Sequence, residues 1–289
     1  MLLLPSYSLD GEQEKSLQEF LLEEEYKCVY ITSYVFKNSN FIGTTGNNQL
    51  WVVLDESDKT TGVVYINPSG AIFPYFSKKY KHDKEIGERL QQIIKLVSPY
   101  MILGEKKSCK IVNDVLKKKI NMQKNHFLML KDKDTENKKN KNKDNIIIRL
   151  ATPSDMEELY KLQENYEKEE VLPDVSLFSP ASCIHKINTH IKTKSIMVAE
   201  YNGKIVAKAE ISAKGVLIYQ IGGVYTLPEY RNRGIATELV RNLIKLIEGS
   251  SKKVCLFVRK DNKPAYKVYK KLGFSTVSDF SIVYLKKGL

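Results

Sequence analysis

The segment Arg231-Asn-Arg-Gly-Ile-Ala236 joins a β-rich run to an amphipathic helix pattern, and its residue types suit the binding of a phosphate. Gly234 and Ala236 are small, so backbone N–H groups at the start of the helix can approach an anion closely, and the helix dipole favours its negative charge. Arg231 and Arg233 would add charge-assisted hydrogen bonds. A plain capped turn has the same pattern, so this segment alone leaves both interpretations open.

Two segments together resemble the GNAT superfamily of acetyl-CoA-dependent N-acetyltransferases. The family's signature after a bulged strand is Arg/Gln-x-x-Gly-x-Gly/Ala, and the residues from Arg231 to Ala236 match it. A later family segment, Asn-x-x-Ala-x-x-x-Tyr-x-x-x-Gly-Phe, is similar to the run from Asn262 to Phe274. The resemblance covers residues 146 to 289. Within the superfamily, the run from Ile221 to Thr226 looks most like the branch that often carries a second, degenerate domain in front.

The resemblance implies a site for acetyl-CoA as the acyl donor. In the family, the bulged strand holds the pantetheine arm through its main chain, and Gly222-Gly223 is where such a bulge costs least. Asn262 and Ala265 would contact the same arm. Asn262 also suits the N-cap of a helix with Pro264 in its first turn, and both roles are compatible. The residues implied to bind the cofactor are Val224, Tyr225 and Thr226 on the strand, with Arg231, Asn232, Arg233, Gly234, Ile235, Ala236 and Thr237 in the diphosphate cradle, and Asn262 and Ala265.

Tyr269 is the general acid that the resemblance implies. With Ala265 and Leu272 it follows the spacing of one helix face, which predicts that its side chain packs towards the sheet and not towards water. A phenol whose hydroxyl reaches a cleft can donate a proton to a departing thiolate, which is the role that the family gives this position. A packed core tyrosine is the alternative for the same spacing.

Glu210 is the first candidate for the general base, because the incoming ammonium must lose a proton before its nitrogen attacks the thioester. If Glu210 points inward from its apolar strand, burial is expected to raise the pKa of its carboxyl. Strand alternation places Lys208 and Glu210 on the opposite face from Ala207, so an outward, solvated Glu210 is the alternative. Glu200, the phenol of Tyr225 and a water molecule are further candidates.

The elements that must position these residues follow a regular order. From residue 146 onwards the pattern predicts β-α-α-β-β-β-α-β-α-β, with Asn202-Gly203 as the turn of a hairpin. Residues 50 to 130 repeat the later part of that order. We therefore predict an α/β (α+β) protein of two tandem GNAT-like domains, each with a central mixed, mostly antiparallel sheet flanked by helices.

The cofactor site of the first half is expected to be lost. Glu85 stands where the second half has its loop glycine, and no Gly-x-Ala follows. A carboxylate at that place would repel a diphosphate. The hypothesis is that this degenerate domain shapes the acceptor site or a homodimer interface without binding CoA.

The predicted domains are residues 1–130 and 146–289, joined by a charged linker at 131–145. The stretch from Lys131 to Asp144 has no apolar residue, so it can bury nothing to offset the entropy of ordering it. Its six lysines and four acids leave a charge of only +2, and no aromatic residue is interleaved, which disfavours a nucleic-acid-binding tail.

Composition limits the remaining classes of function. The net charge of the 289 residues is +12, and 14 basic against 5 acidic residues from Leu227 onwards favour an anionic partner such as a nucleotide phosphate. Four scattered cysteines without a CxxC pair, and four histidines without HExxH, predict neither disulfides nor a metal site. No apolar run approaches the ~20 residues of a membrane helix, and the start is not typical of a secretory signal, so we expect a cytoplasmic protein with no membrane partner.

The sequence thus predicts an enzyme that moves acetyl from acetyl-CoA to a primary amine by direct attack, using no metal. The acceptor, a small molecule or a peptide, is not identified, and its pocket is expected from about Tyr160 to Lys192. The alternatives are an aminoacyl or other acyl transferase of the same fold, and a non-catalytic acyl-CoA-binding regulatory protein. Nucleic-acid binding is disfavoured.

Overall fold

The structure is a computed structural model that describes residues 1–44, 47–81, 83–131 and 146–286. It divides into two compact units. The first holds the described residues of 1–128, 214–218 and 277–289, and the second holds those of 129–213 and 219–276. Residues 132–145 of the predicted linker lie outside the described residues. The predicted domain limits at 130 and 146 stay a prediction.

The helices and strands follow one another along the chain. They are β1 (Leu2–Pro5), α1 (Gly11–Glu23), α2 (Val29–Val35), β2 (Phe36–Lys37), β3 (Asn40–Phe41), β4 (Gln49–Leu54), β5 (Thr60–Ile66), β6 (Ala71–Phe76), α3 (Lys84–Lys95), β7 (Met101–Glu105), α4 (Lys106–Leu116), β8 (Ile120–Lys131), β9 (Ile146–Leu150), α5 (Met156–Tyr166), α6 (Pro180–Lys192), β10 (Ile196–Tyr201), β11 (Lys204–Lys214), β12 (Ile218–Thr226), α7 (Ile235–Glu248), β13 (Lys253–Arg259), α8 (Lys263–Lys271) and β14 (Phe274–Leu285). A π-helical turn, Glu167–Val171, extends α5.

The first unit is built on a sheet with the strand order β1-β4-β5-β6-β7-β14-β8. β1, β4, β5 and β6 pair antiparallel in turn, β6 and β7 run parallel, and β7 pairs antiparallel with β14. Ile72 of β6, Leu90 of α3 and Val112 of α4 belong to one buried cluster, which Val283 of β14 completes. Val283 and Leu285 of β14 are therefore part of the core of the first unit.

The second unit contains the strand order β13-β12-β11-β10-β9. β9, β10 and β11 pair antiparallel, and the hairpin between β10 and β11 turns at Asn202 and Gly203, with φ values of +48° and +78°. Leu159 of α5, Ile187 of α6 and Val198 of β10 lie in its buried core. Both units thus have a mostly antiparallel sheet flanked by helices, and the predicted fold class is confirmed.

β11 is covered on both of its faces. Every residue from Ile205 to Ile211 is buried, so apolar and charged side chains of this strand are all withdrawn from water. All four cysteines are buried and none forms a disulfide. No helix in the described part of the chain is both long enough and apolar enough to span a bilayer.

Candidate active site

The loop before α7 leaves the first backbone N–H groups of that helix without a side-chain cap. Gly234 is the N-cap residue and has φ +78°, and Asn232 has φ +63°, so two residues of this loop are left-handed. By contrast, α1, α3, α6 and α8 each begin with a side chain that accepts a hydrogen bond from the first turn. A Cβ added at Gly234 would meet nothing within 4 Å. The start of α7 is therefore open to an anion from outside.

The residues predicted to form the diphosphate cradle differ in exposure. Arg231, Asn232, Arg233 and Gly234 are exposed, Ile235 is buried, and Ala236 and Thr237 are half-buried in the first turn of α7. Arg233 donates a hydrogen bond to the carbonyl of Glu229 (3.2 Å). The loop before α7 is therefore at the surface, while Ile235 packs the first turn of α7 into the core.

Arg231 connects this loop to the end of β12. Its Nε donates a hydrogen bond to the carbonyl of Thr226 (3.0 Å), and its Nη2 donates to both carboxylate oxygens of Glu169 (3.0 Å each). The hydroxyl of Tyr225 donates to the same carboxylate (3.0 Å), and the Arg231 guanidinium carbon lies 5.4 Å from the centre of the Tyr225 ring. The structure thus brings three predicted residues together around Glu169, which the sequence analysis did not single out.

β12 departs from extended backbone geometry at the second of its two glycines, and this departure is called the bend of β12 below. Gly223 has φ +56°, a conformation that favours glycine. A Cβ at this position would lie 2.4 Å from Cδ of Glu210, so only a glycine lets the main chain come this close to the carboxylate. Val224, Tyr225 and Thr226 follow directly. The Thr226 hydroxyl oxygen is buried and has no hydrogen-bond partner among the described residues, which leaves it available to a ligand along this strand.

Glu210 points inward beneath the bend. Its carboxylate accepts a hydrogen bond from Nζ of Lys208 (3.1 Å) and lies 3.3 Å from Nζ of Lys186 and 3.9 Å from Nε2 of His190. Lys208 is fully buried, donates to the carbonyl of Gly223 (2.9 Å) and lies over an aromatic ring of α5. The outward, solvated alternative for Glu210 is therefore wrong, because β11 is covered on both faces.

The expected direction of the Glu210 pKa is also wrong. Burial raises the pKa of this carboxyl, but Lys186, Lys208 and His190 together lower it more, and it lies well below its ordinary value. Strand alternation places Lys208 and Glu210 on one face, but it could not reveal that this face is buried and that the two side chains pair there. A carboxylate with a strongly lowered pKa is a weak proton acceptor. The role of Glu210 as general base stays a prediction that this finding disfavours.

Tyr269 is buried on α8 with its ring 6.0 Å from that of Phe274. Burial and the nearby Glu170 carboxylate raise the pKa of its phenol, so the hydroxyl keeps its proton at neutral pH. The described residues offer this hydroxyl no hydrogen-bond partner. A protonated phenol of this kind fits a general acid, although its catalytic role stays a prediction.

Asn262 caps the helix that carries Tyr269. Its Oδ1 accepts a hydrogen bond from the backbone N–H of Ala265 (3.1 Å), and both residues are half-buried. The N-cap interpretation is therefore confirmed. The contacts of Asn262 and Ala265 with a cofactor arm stay predictions.

Two other candidates for the base are engaged elsewhere. Glu200 accepts hydrogen bonds from Nε (3.1 Å) and Nη2 (3.0 Å) of Arg149, which also binds both oxygens of Asp155. The Tyr225 phenol donates to Glu169, and burial together with that carboxylate raises the pKa of Tyr225 to about 12. Both groups are therefore engaged in hydrogen bonds with other side chains.

The residues that the sequence analysis missed lie on the π-helical turn after α5. Glu169 contacts Tyr225 and Arg231, and Glu170 lies 3.1 Å from a guanidinium nitrogen of Arg259 at the end of β13. The only local signal was the acidic run from Glu167 to Glu170 within the predicted acceptor region. Across the described ranges, no three His, Cys, Asp or Glu side chains are grouped so that they could hold a metal ion.

The corresponding helix start in the first unit is filled by the protein's own carboxylates. Asp83 is the N-cap of α3 and accepts a hydrogen bond from the backbone N–H of Ile86 (3.0 Å). Glu85 lies in the first turn. This helix start therefore already has the negative charge that its dipole favours.

Comparison with known proteins agrees with the fold and the loop before α7. Residues 155–274 match the Acetyltransferase (GNAT) family. An acetyltransferase of Pectobacterium atrosepticum is 40% identical over 85 residues, which are 28% of this chain and 57% of that protein, so the chain spans little more than half of that relative's length.

Two solved structures resemble nearly the whole chain. A GNAT-family acetyltransferase from Colwellia psychrerythraea has a TM-score of 0.55 at 13% identity and covers 99% of this chain and 100% of its own. A Drosophila protein has a TM-score of 0.68 at 12% identity and covers 99% and 98%. Residues 155–274 thus match the model of the GNAT acetyltransferase family, and the chain as a whole has the fold of GNAT proteins.

Proposed function

We propose that the second unit transfers the acetyl group of acetyl-CoA to a primary amine. The observation that carries this proposal is the open start of α7, where Gly234 is left-handed, no side chain caps the helix and Arg231 lies beside the loop. A helix start with these features binds a phosphate through main-chain N–H groups, and CoA offers a diphosphate. The predictions of a cytoplasmic location and of a homodimer stay open.

The residues present fit acetyl-CoA as the donor. The N–H groups from Gly234 to Thr237 and the Arg231 guanidinium would hold the diphosphate, and the main chain of Val224 and Thr226, with the unpartnered Thr226 hydroxyl, would hold the pantetheine arm. When bound, the donor supplies an activated acetyl thioester. The open space over Gly234 leaves room for its phosphates.

The chemistry requires three proton transfers. The acceptor arrives as an ammonium and gives up one proton to a carboxylate or to water, after which its nitrogen attacks the thioester carbonyl. The C–N bond forms, the C–S bond breaks, and the departing thiolate takes the phenolic proton of Tyr269. The second proton then leaves the acylated nitrogen, which gives the neutral amide, and returns through water to the Tyr269 phenolate. The Tyr269 phenol is protonated at neutral pH, so it carries the proton that the thiolate takes.

Thermal unfolding with and without acetyl-CoA tests the proposal, with Gly234→Asp as the disabled variant. The aspartate would bring bulk and negative charge to the cradle, so the several-degree rise that acetyl-CoA gives the wild type should disappear. Gly203→Asp is the matched control, because Gly203 also has φ +78° and open space at its Cβ but lies in the β10–β11 turn. This control should keep the full rise.

Thiol release with a panel of primary amines then tests catalysis. Release that depends on an amine supports acetyl transfer. Binding without any release would support the non-catalytic acyl-CoA-binding alternative, and an absent thermal shift in the wild type would contradict the proposal.

A further inference from the structure

Glu169 and Arg231 form an ion pair that conflicts with cofactor binding. Nη2 of Arg231 donates hydrogen bonds to both carboxylate oxygens of Glu169, and its Nε donates one to the carbonyl of Thr226. A diphosphate in the cradle before α7 needs the same guanidinium. It would also meet the negative charge of Glu169 at close range, which is repulsive. The carboxylate and the diphosphate therefore compete for one arginine.

The segment that carries Glu169 is built to present carboxylates at this place. In the π-helical turn Glu167–Val171, Glu169 pairs with Arg231, which follows β12. Glu170 pairs with Arg259, the last residue of β13. Irregular turns of this kind within helices are frequent at functional sites. The side chains of Glu169 and Arg231 are 43% and 41% exposed, so a ligand can reach the pair from solvent.

Once Arg231 leaves, Glu169 loses its hydrogen-bonded cation, with Arg259 still near enough to interact electrostatically, and it keeps the hydroxyl of Tyr225 as a hydrogen-bond donor. Tyr225 lies two residues after Gly223, on the strand proposed to hold the pantetheine arm. A carboxylate at that position is suited to an incoming ammonium group. Burial raises the pKa of Glu169 and the bonds from Arg231 and Tyr225 lower it, so the loss of Arg231 makes this carboxylate a better proton acceptor.

We propose that Arg231 holds Glu169 until a diphosphate takes the arginine, and that the released carboxylate then binds the ammonium group of the acceptor. The inference rests on the proposed function and names the residue that receives the amine. It makes CoA binding and amine binding mutually favourable, because each ligand needs the Arg231–Glu169 pair to be open.

The first test measures the dissociation constant of CoA by titration calorimetry in the full-length protein and in Glu169→Gln. The glutamine keeps the shape of the side chain but removes the competing charge. We expect CoA to bind two- to fivefold more tightly, which corresponds to roughly 0.4–1 kcal/mol for a partly exposed ion pair. Pantetheine, which lacks the diphosphate, should bind both proteins equally.

Glu229→Gln is the matched control. Glu229 is exposed and lies just before Arg231 in the chain, and its substitution removes one negative charge near the cradle without touching the Arg231–Glu169 pair. The gain in CoA affinity should be clearly smaller for this variant. If Glu229→Gln gained as much CoA affinity as Glu169→Gln, the gain would come from the lower negative charge alone. That result would contradict the proposed competition for Arg231.

The second test uses reciprocity and needs no knowledge of the acceptor. Propylamine, which is protonated at neutral pH, should lower the dissociation constant of CoA at constant ionic strength, whereas tetramethylammonium, which has no N–H donor, should not. The effect of propylamine should vanish in Glu169→Gln. An equal effect of both cations, or an effect that persists in the variant, would refute the assignment of the amine to Glu169. Wild-type protein that fails to bind CoA at all would contradict the proposed function itself.

Discussion

Substitution of Gly223 by alanine tests how the bend of β12 and the buried charges of β11 depend on each other. The new Cβ would lie 2.4 Å from Cδ of Glu210 and 2.7 Å from each of its carboxylate oxygens. The carboxylate must therefore move, and its movement weakens the bonds to Lys208 and Lys186. The left-handed φ of +56° adds backbone strain for any residue other than glycine.

The expected loss of stability has two parts. Left-handed strain for alanine amounts to roughly 1–2 kcal/mol. A fully unpaired buried charge would cost about 3–5 kcal/mol, but Glu210 keeps some of its partners after a partial shift, so only a fraction of that cost applies. We expect the free energy of unfolding to fall by roughly 2–4 kcal/mol.

Urea unfolding of Gly223→Ala and of Gly203→Ala separates the two parts. Gly203 has φ +78°, and a Cβ added there would meet nothing within 4 Å, so its alanine variant measures strain alone. A double-mutant cycle with Glu210→Ala removes the atoms that the new methyl group would meet, and the cost of Gly223→Ala should then fall to that of Gly203→Ala. Equal costs for the two single glycine variants, or no coupling in the cycle, would refute this reasoning.

Two further predictions concern single side chains. Tyr269→Phe should lower turnover about 100-fold or more with CoA affinity unchanged, as expected for a lost general acid, while Tyr266→Phe should keep activity; a parallel loss of affinity and turnover in the kinetic assay would make Tyr269 structural. Hydrogen bonds from Arg149 lower the pKa of the buried Asp155 to about 2, so the wild type should be roughly 2 kcal/mol more stable than Asp155→Asn above the unfolded-state pKa. Denaturation curves should show this advantage shrinking as the pH falls towards 2, and a pH-independent difference would argue against it.

Local signals let the sequence predict much of the second unit. Asn202-Gly203 predicts a tight hairpin because both residues tolerate positive φ, and the structure has β10 and β11 joined there. Thr152 and Asp155, three residues apart, form a capping box just before α5. Signals of this kind depend on a few neighbouring residues, so they can be recognised without knowledge of the tertiary structure.

The face of Glu210 could not be predicted in this way. Alternation along a strand distinguishes inside from outside only where one face meets water, and both faces of β11 are covered. The charges of Lys208 and Glu210 are therefore buried as a pair, an outcome that depends on the helices and strands that pack around them.

The contact between Glu169 and Arg231 also could not be predicted from the sequence. The two residues are 62 positions apart, and neither the helix pattern of α5 nor the motif before α7 indicates the other. The same holds for the end of the chain, where Tyr284 of β14 lies opposite Met101 of β7. Both pairings depend on which elements become neighbours, and apolar periodicity does not encode that choice.

The starts of α3 and α7 show why ligand binding should stabilise the second unit. Asp83 satisfies the first turn of α3 internally, and an N-cap of this type contributes about 1 kcal/mol to a helix. α7 has no such cap, so without a ligand its first N–H groups are left to water. A diphosphate would supply the missing acceptor oxygens together with two negative charges. Of these two helix starts, the one without a cap of its own is therefore the one whose stability should depend on the cofactor.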